Sequence, residues 1–314
     1  MNFKLYGLLH LDDREQTAMN VRTNDFKDQI ELYVKNALTL SKSLQIQGIE
    51  FILLTNQRLF IDEILLKLSE SLMVEEISFQ TQVPKGIRFY SAHFKLDVYR
   101  YFSQKDDDDY MGLCDLDMVC VNNIPQAFIN NVKDKIPFFY DISEDVITTH
   151  GSEIIIRDLE LLTGHRSEGR WSGGEFISGT AEFFAQLIYE IDELFPNYLN
   201  NLNIFHHIGD EALTSAGLEN LRKSGTYIAD AGTLGLVGRY WNTNVLYYQR
   251  KFYYFESCFL LHLPADKRFL ADMHNKKLNN SHDYINHYKA YKNSTMGIIK
   301  RYLKKIKFYL VKIK

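Results

Sequence analysis

Cysteine and proline are scarce in this chain, which has three cysteines and five prolines among 314 residues. The odd number of cysteines, without metal-type spacing or a recognisable signal peptide, argues against a disulfide framework and indicates a reducing compartment. No apolar run reaches about 18 residues, so we expect no membrane-spanning helix. Because 46% of the residues are hydrophobic, the chain can bury a substantial core, and we expect a folded cytoplasmic protein.

Positive charge is also in short supply, since the net charge is -4, but it is concentrated at one end. Residues 300–314 hold seven lysines or arginines and no acid. Apolar residues recur there at steps of three and four, which predicts a basic amphipathic helix over residues 296–314 on an anionic membrane surface. Packing of this helix on its own protein is the alternative. Because the rest of the chain is acidic and lacks a second basic stripe, we expect no nucleic-acid partner.

Strand-like and helix-like segments alternate in the first third of the chain. Asn24 or Asp25 can cap the first helix, which is predicted to reach about residue 44. The other predicted segments are strands at residues 3–11, 49–54 and 76–79, helices at residues 61–72 and 93–102, and a buried strand in the apolar run of residues 110–121. The order β-α-β-α-β-α-β predicts an α/β fold with a mostly parallel sheet covered by helices.

Two aspartates, Asp115 and Asp117, interrupt the apolar run at residues 110–121. A buried strand that ends there presents both acids at the rim of a sheet, where open α/β sheets bind ligands. Two carboxylates in that place suit Mg²⁺ or Mn²⁺ shared with a diphosphate. Two solvated acids in a surface loop are the alternative, which the apolar flanks disfavour.

Further residues are candidates for binding the metal and the diphosphate. His262 follows an apolar run and could complete a metal shell with the two aspartates, or it is a core histidine with satisfied hydrogen bonds. Lys95, Arg100 and Lys267 are candidates for stabilising a leaving phosphate, with surface ion pairing as the alternative. His10, after the first strand, and Asp115 are counted with them as candidates for binding the donor.

Asp210 and Glu211 open a helix-like stretch in the second half. A carboxylate near a reacting sugar carbon could stabilise an oxocarbenium-like charge or attack that carbon. Alternatively, both acids favour the dipole at a helix N-terminus. His206 and His207 precede these acids. Because neighbouring side chains on an extended segment point opposite ways, only one of the two can reach an acceptor hydroxyl, and His207 is our candidate.

Gly173 and Gly174 precede a predicted helix at residues 180–194, whose apolar stripe we interpret as core. Glycines at these positions allow the backbone to pass close to a sugar ring, because no side chain stands in the way. An ordinary tight turn before the helix is the alternative.

Together these segments resemble GT-A type glycosyltransferases. Asp115-Leu116-Asp117-Met118-Val119 resembles the metal motif of the blood-group and α-galactosyl transferases. Residues 171–180, WSGGEFISGT, resemble their Gly-Gly-Thr acceptor-side turn, and residues 210–214, DEALT, resemble their His-Asp-Glu segment. Residues 262–267, HLPADK, are similar to the His-Lys motif of glycogenin and the lipooligosaccharide galactosyltransferases, although the spacing differs and a glycine is missing.

The resemblance implies a Rossmann-like GT-A fold with a nucleotide-sugar half at residues 1–122, an acceptor-binding and catalytic half at 123–270 and a C-terminal extension at 271–314. It implies metal-dependent hexose transfer, with retention, from a donor such as UDP-galactose, UDP-glucose or an N-acetyl form to a saccharide or lipid-linked acceptor. The implied site residues are Asp115, Asp117 and His262 for Mn²⁺ or Mg²⁺, Glu211 and Asp210 at the anomeric carbon, and Trp171, Gly173, Gly174 and His207 for the acceptor.

Assembly of bacterial surface polysaccharide or lipopolysaccharide at the inner face of the cytoplasmic membrane would need such an enzyme, bound at the membrane periphery. Two other functions stay open. A non-catalytic saccharide-binding or assembly subunit could keep the aromatic residues and the basic tail. A sugar-phosphate nucleotidyltransferase would share the sheet and the metal, but it normally has a glycine-rich loop where residues 10–14 read HLDDR.

Overall fold

The computed structural model describes residues 3–12, 25–106 and 109–294. Asn24 and the membrane-surface helix predicted over residues 296–314 lie outside the described residues. The helices are α1 (Phe26–Gln45), α2 (Arg58–Leu68), α3 (Lys95–Phe102), α4 (Gln126–Lys133), α5 (Ser143–His150), α6 (Ser152–Thr163), α7 (Ala181–Asn200), α8 (Asp210–Lys223), α9 (Lys267–Met273) and α10 (His282–Asn293). The strands are β1 (Phe3–Leu9), β2 (Glu50–Thr55), β3 (Met73–Glu76), β4 (Tyr110–Cys114), β5 (Met118–Cys120), β6 (Phe138–Asp141), β7 (Ser172–Thr180), β8 (Ala229–Asp230), β9 (Val237–Arg239) and β10 (Leu260–His262).

A seven-stranded sheet forms the centre of the described structure, in the order β3-β2-β1-β4-β7-β6-β8. The pairs β3-β2, β2-β1, β1-β4 and β6-β8 are parallel. β7 is antiparallel to both of its neighbours, so it alone runs against the other six strands. The predicted α/β class, with a mostly parallel sheet and flanking helices, is confirmed.

Strands on both sides of residue 122 belong to this one sheet. β1 to β4 precede that residue, and β6 to β8 follow it. The nucleotide-sugar half and the acceptor half therefore share a continuous core, and their division at residue 122 stays a prediction about function.

The ends of the first two helices have local causes. The carboxylate of Asp25 accepts the backbone N–H of Lys27 at 3.0 Å and caps α1, as predicted. α2 stops at Leu68, earlier than predicted, because Ser69 adopts a left-handed conformation with φ of 56°. The next strand consequently begins at Met73, and the prediction of residues 76–79 placed it too late.

Helices cover both faces of the large sheet. Buried residues of α1, α2 and α4, such as Ile30, Ile61 and Phe128, form the core on one face. Residues of α3, α6, α7 and α8 form the core on the other. The apolar stripe of α7 is buried there, as predicted from the sequence: Phe183, Phe184, Leu187, Ile188 and Ile191.

A second, smaller sheet contains β5, β10 and β9, with β10 in the middle. β5 pairs antiparallel with β10, and β9 pairs parallel with it. The predicted strand end at the two aspartates is confirmed, but the sequence did not show that the apolar residues after them, in β5, belong to a different sheet. Asp115, Leu116 and Asp117 form the connection between the two strands, at the junction of the two sheets.

The glycine-rich segment after Trp171 is a strand rather than the predicted turn. A Cβ atom on Gly173 would lie 2.0 Å from Glu175 Oε2, and one on Gly179 would lie 2.3 Å from Phe183 Cδ1. These glycines therefore serve close packing inside the sheet, because neighbouring side chains fill the space that a Cβ would need.

The described helices include none that is both long enough and apolar enough to cross a bilayer. The three cysteines, Cys114, Cys120 and Cys258, are buried and present as free thiols.

Replacing Gly179 by alanine should destabilise the protein, because the new methyl group collides with Phe183 on the buried side of α7. We expect the free energy of unfolding to fall by about 1–3 kcal/mol, measured by urea denaturation. Gln186→Ala, on the exposed side of the same helix, is the control and should change it by less than about 0.5 kcal/mol. Equal stability of the two variants would contradict the close packing of α7 on β7.

Candidate active site

A cleft of about 630 Å³ opens at the carboxyl ends of β1 and β4. In the sheet order, β2 and β3 lie on one side of β1, and β4 lies on the other. The order of the strands therefore reverses between β1 and β4. Open α/β sheets bind ligands at such a position. His10 directly after β1, Asp115 directly after β4 and Gly174 of β7 line the cleft, so the sheet itself places these predicted residues together.

The orientation of the two aspartates depends on the residue between them. Leu116 is buried, and its Cδ2 atom occupies the space beside Gly7 of β1, where a Cβ atom would be only 2.4 Å away. Asp115 and Asp117 flank this anchored side chain, and both line the cleft. The small residue in β1 therefore allows the turn to seat close to the sheet.

His262 reaches the aspartates from the end of β10, in the smaller sheet. Its Nε2 atom lies 3.0 Å from Asp117 Oδ1 and 3.9 Å from Asp115 Oδ2. One ligand atom from each of the three residues can be chosen so that all lie within 4.8 Å of one another. Two carboxylates and an imidazole at these separations fit a divalent metal ion, so the structure brings together the three predicted ligands.

Charge pairing favours the ionised forms of His262 and Asp117 despite their burial, whereas burial raises the pKa of Asp115. Burial alone would lower the pKa of His262, but Asp117 and Glu175 raise it to about 9. Burial would likewise raise the pKa of Asp117, but the positive charges of Lys267 and His262 hold it below its usual range. In the metal-free protein a proton on His262 thus balances the neighbouring carboxylates.

Two of the three predicted cations lie in the cleft. Lys267 donates to the carboxylate of Asp117 and to the carbonyl of Pro264. Lys95 lies 2.8 Å from Asp115 Oδ1, 3.4 Å from Asp210 Oδ2 and 2.6 Å from the carbonyl of Gly174. Although burial opposes its charge, Asp115 and Asp210 raise the pKa of Lys95 well above its ordinary value.

Arg100, the third predicted cation, is not brought to the cleft. It lies five residues beyond Lys95 on α3, which turns it by about 140° around the helix axis. Its guanidinium contacts Thr81, Asp97 and Asp192 instead. For Arg100, ion pairing with neighbouring acids, which was the alternative to phosphate binding, is therefore what the structure shows.

Asp210 and Glu211 begin α8 and both line the cleft, but their environments differ. Glu211 accepts hydrogen bonds from Trp171 Nε1 at 2.9 Å and from the backbone N–H of Gly174 at 3.3 Å. The Oδ2 atom of Asp210 is buried, faces Lys95 and has no hydrogen-bond partner among the described residues. Asp210 therefore retains an acceptor position for a ligand.

The predicted acceptor residues separate into two groups. Gly174 and His207 line the cleft, and the ring of His207 stacks on Phe89 with centroids 4.8 Å apart. Trp171 is only 1% exposed, so it orients Glu211 and presents no open ring face to an acceptor. Gly173 faces Glu175 instead of the cleft.

His206, the neighbour of His207, points the other way, as the extended segment predicted. Its Nδ1 atom pairs with buried Asp158 at 2.6 Å. Only one histidine of the pair thus reaches the cleft.

Glu175 and Arg239 are site residues that the sequence did not reveal. Glu175 Oε1 lies 3.4 Å from His262 Nδ1 and 2.7 Å from Arg239 Nη1, while Arg239 Nη2 lies 2.7 Å from Asp145. The acid is in β7 and the arginine in β9, so the pair connects the two sheets behind the metal ligands. A buried carboxylate on the far nitrogen of a metal-binding histidine commonly orients the ring. The one hint in the sequence was that Glu175 is the only acid among residues 172–180, SGGEFISGT.

A second cavity of about 840 Å³ adjoins the cleft at the carboxyl ends of β1, β2 and β3. His10 lines both cavities. Its ring stacks on Phe94 with centroids 3.6 Å apart and planes inclined by 15°. The wall between the two cavities is thus aromatic, and Asn56 and Ile77 line the second one.

Comparisons with known proteins add little to this geometry. No protein-family model matches the chain, and no curated protein matches it. Among solved structures, the chain is similar to mouse xyloside xylosyltransferase 1 in its apo form, with a TM-score of 0.47 and 10% sequence identity. The match covers 83% of this chain and 97% of the mouse protein.

The burial of His10 predicts a specific acid sensitivity. Burial lowers its pKa from 6.5 to about 4, so the unfolded chain binds a proton more readily and stability is lost as the pH falls through that range. His10→Phe keeps a ring on Phe94 without titrating. Relative to this variant, the wild type should lose about 2–3 kcal/mol between about pH 7 and pH 4.5 in urea denaturation. Parallel stability curves over that range would contradict the prediction.

Proposed function

We propose that this protein is a metal-dependent glycosyltransferase of the GT-A type, which transfers a hexose from a nucleotide-diphosphate sugar. The observation that supports this most is the convergence of Asp115, Asp117 and His262 at the carboxyl ends of the sheet strands. Lysines flank this set, and a carboxylate with a vacant acceptor position lies across the cleft. A metal site, cations for the phosphates and a carboxylate for the sugar are groups that can each stabilise transfer from a diphosphate.

The proposed ligands are Asp115, Asp117 and His262, and the proposed metal is Mn²⁺. A set that combines imidazole with two carboxylates suits Mn²⁺ better than Mg²⁺, which prefers oxygen ligands and retained water. When bound, a divalent ion would neutralise the diphosphate of the donor and of the leaving nucleotide. Lys267, which lies beside Asp117, would then be available to a phosphate oxygen.

The second cavity provides space for the nucleoside of the donor, which we propose is uridine. It adjoins the metal ligands through His10, so a diphosphate on the metal would direct its nucleoside past the His10–Phe94 stack. Apolar Ile77 and the amide of Asn56 offer a base both contact area and hydrogen bonds. Residues 1–122 supply all of these groups, in agreement with a donor-binding role for that half.

The carboxylates of α8 would face the anomeric carbon. We assign this place to Asp210, since it lines the cleft and its Oδ2 atom accepts no hydrogen bond from the described residues, although Lys95 lies 3.4 Å away. A carboxylate on that face can form a covalent intermediate that the acceptor then displaces, which gives retention. It can instead stabilise the oxocarbenium-like charge while the acceptor attacks from the face by which the leaving group departs, which also gives retention. Glu211 would act beside it, held by Trp171 and the backbone of Gly174.

The acceptor would enter on the side of the cleft lined by Phe89, His207 and Trp241. Aromatic rings offer flat apolar faces to a sugar, and His207 adds a polar edge for a hydroxyl. We propose a saccharide on a lipid carrier, used in bacterial surface polysaccharide or lipopolysaccharide synthesis at the inner face of the cytoplasmic membrane. The basic pattern of residues 296–314 supports this peripheral location.

The metal and donor can be tested together by thermal denaturation. The wild type should melt at a higher temperature with Mn²⁺ and a UDP-hexose, because ligands that bind only the folded state stabilise it. Asp117→Asn should lose this shift and the transfer activity while remaining folded. Asp272→Asn, an exposed acid on α9, is the control and should keep both. A full shift in Asp117→Asn would contradict the metal site.

Enzymatic activity itself is decided by nucleotide release and by the product. We expect UDP release with an acceptor present, and an anomeric configuration in the product, read by NMR, that matches the donor. Asp210→Asn should lower kcat by about 10²–10³-fold, because a charge aimed at the transition state is lost. An inverted product would contradict the role of Asp210. Metal-dependent sugar binding without UDP release would instead favour a non-catalytic saccharide-binding subunit.

A further inference from the structure

An aromatic loop, residues 246–254, exposes large side chains at the edge of the molecule. The exposed fractions are 53% for Leu246, 83% for Tyr248, 57% for Tyr253 and 53% for Tyr254. The sequence of residues 245–255, VLYYQRKFYYF, contains two cations and no acid. A local concentration of exposed apolar surface marks an interaction site more often than scattered single residues do.

The exposed side chains of the aromatic loop lie together. The rings of Tyr253 and Tyr254 stack with centroids 4.3 Å apart. Their hydrogen bond raises the pKa of Tyr253, and Tyr248 adds to this shift from nearby. Arg250 lies 5.7 Å from the ring centre of Tyr254, and Lys251 is exposed. The loop thus presents phenol rings bordered by positive charge.

The base of the aromatic loop is fixed to the cleft. The side chain of Gln249 makes two hydrogen bonds, at 2.7 and 2.9 Å, with the backbone of Trp241, which lines the cleft. Arg239, behind the metal ligands, lies 5.9 Å from the ring centre of Tyr247. Whatever binds the loop is therefore held at the side of the cleft where the acceptor would enter.

The described chain also ends beside this loop. Near the end of α10, the ammonium of Lys292 lies 4.1 Å from the ring centre of Phe252 and 2.9 Å from the hydroxyl of Tyr240. Residues 295–314, with their concentration of lysine, continue from this place. The aromatic loop and the origin of the basic segment are thus on the same side of the protein.

We propose that the aromatic loop is a membrane-docking surface, which inserts its tyrosines into the headgroup region of an anionic bilayer beside the basic C-terminal segment. Tyrosine suits this region because its ring is apolar and its hydroxyl is polar. Arg250 and Lys251 face the negative lipid charge. Docking places the cleft at the membrane surface, and the inference that its acceptor is lipid-linked rests on the proposed function.

Fluorescence quenching tests whether the aromatic loop inserts into a bilayer, and it needs only the replacement of one aromatic residue by another. Tyr248→Trp in the full chain is mixed with vesicles of phosphatidylcholine and phosphatidylglycerol that carry bromine on their acyl chains. The fluorescence of the wild type, due to Trp171 and Trp241, is subtracted. We expect strong quenching of the new tryptophan. Tyr189→Trp, at a position 65% exposed on α7, is the matched control and should be quenched little. Equal quenching at both positions would overturn the proposal.

Cosedimentation with vesicles of the same lipids, without bromine, measures how much the side chains of the aromatic loop contribute to vesicle binding. Replacing Arg250 and Lys251 by glutamine should weaken vesicle binding about 30-fold, since each charge near the surface contributes about 1 kcal/mol. Replacing Tyr248, Tyr253 and Tyr254 by serine should weaken it on the order of tenfold. The control replaces exposed Tyr189 and Tyr227 by serine and should bind as the wild type does. Unchanged binding of both loop variants, or equal loss in the control, would overturn the proposal.

Two further measurements separate this inference from its premises. Replacing Lys304, Lys305 and Lys307 by glutamine isolates the basic segment, and the quenching at position 248 should persist in this background at higher lipid concentration. Loss of that quenching at saturating lipid would show that the loop makes no contact of its own. The thermal shift with Mn²⁺ and UDP-galactose, without vesicles, tests the enzyme alone. If this thermal shift is absent, the proposed function is contradicted, whereas vesicle binding that depends on the loop would still support the docking surface.

Discussion

The packing of Leu116 beside Gly7 fixes the geometry of the cleft. The chain leaves the large sheet at Cys114 and enters the small sheet at Met118, so the three residues between them must bridge two differently oriented ladders. Because Leu116 occupies the space that a Cβ on β1 would fill, the carboxylates on either side have little freedom to turn away. Lys95 from α3 and His262 from β10 both contact the aspartates of this short turn.

Charge compensation explains why so many ionisable groups can share the cleft. Lys95 is close to Asp115 and Asp210, and Lys267 pairs with Asp117. Buried Glu175, behind His262, pairs with Arg239. Buried charges are tolerated when they are paired and hydrogen-bonded, and four of the carboxylates have a cationic neighbour before any ligand arrives: Asp115, Asp117, Glu175 and Asp210. A bound metal would take over part of this role from the proton on His262, which leaves the lysines for phosphate.

The sequence predicted the α/β class, the sheet alternation up to β4 and the groups nearest the proposed metal. Asp115 and Asp117 were recognisable because strand ends in α/β proteins are where ligands bind, and both lie at one such end. It could not predict that Glu175 contacts His262, since that contact depends on how β7 and β10 approach across two sheets. The split of residues 110–121 was missed for the same reason: an apolar run does not show that it changes sheets.

Asp210 and Glu211 show how far adjacent residues of one type can diverge in role. Both begin α8, and the resemblance to the His-Asp-Glu segment pointed to Glu211, with Asp210 beside it, as the group facing the sugar. In the structure, hydrogen bonds from Trp171 and Gly174 occupy Glu211, whereas Asp210 keeps a buried oxygen without a partner. An unsatisfied buried carboxylate oxygen is costly, and Lys95 at 3.4 Å offsets only part of that cost. In the proposed mechanism, a ligand with developing positive charge would supply the rest, so the unsatisfied oxygen of Asp210 would favour the transition state over the ground state.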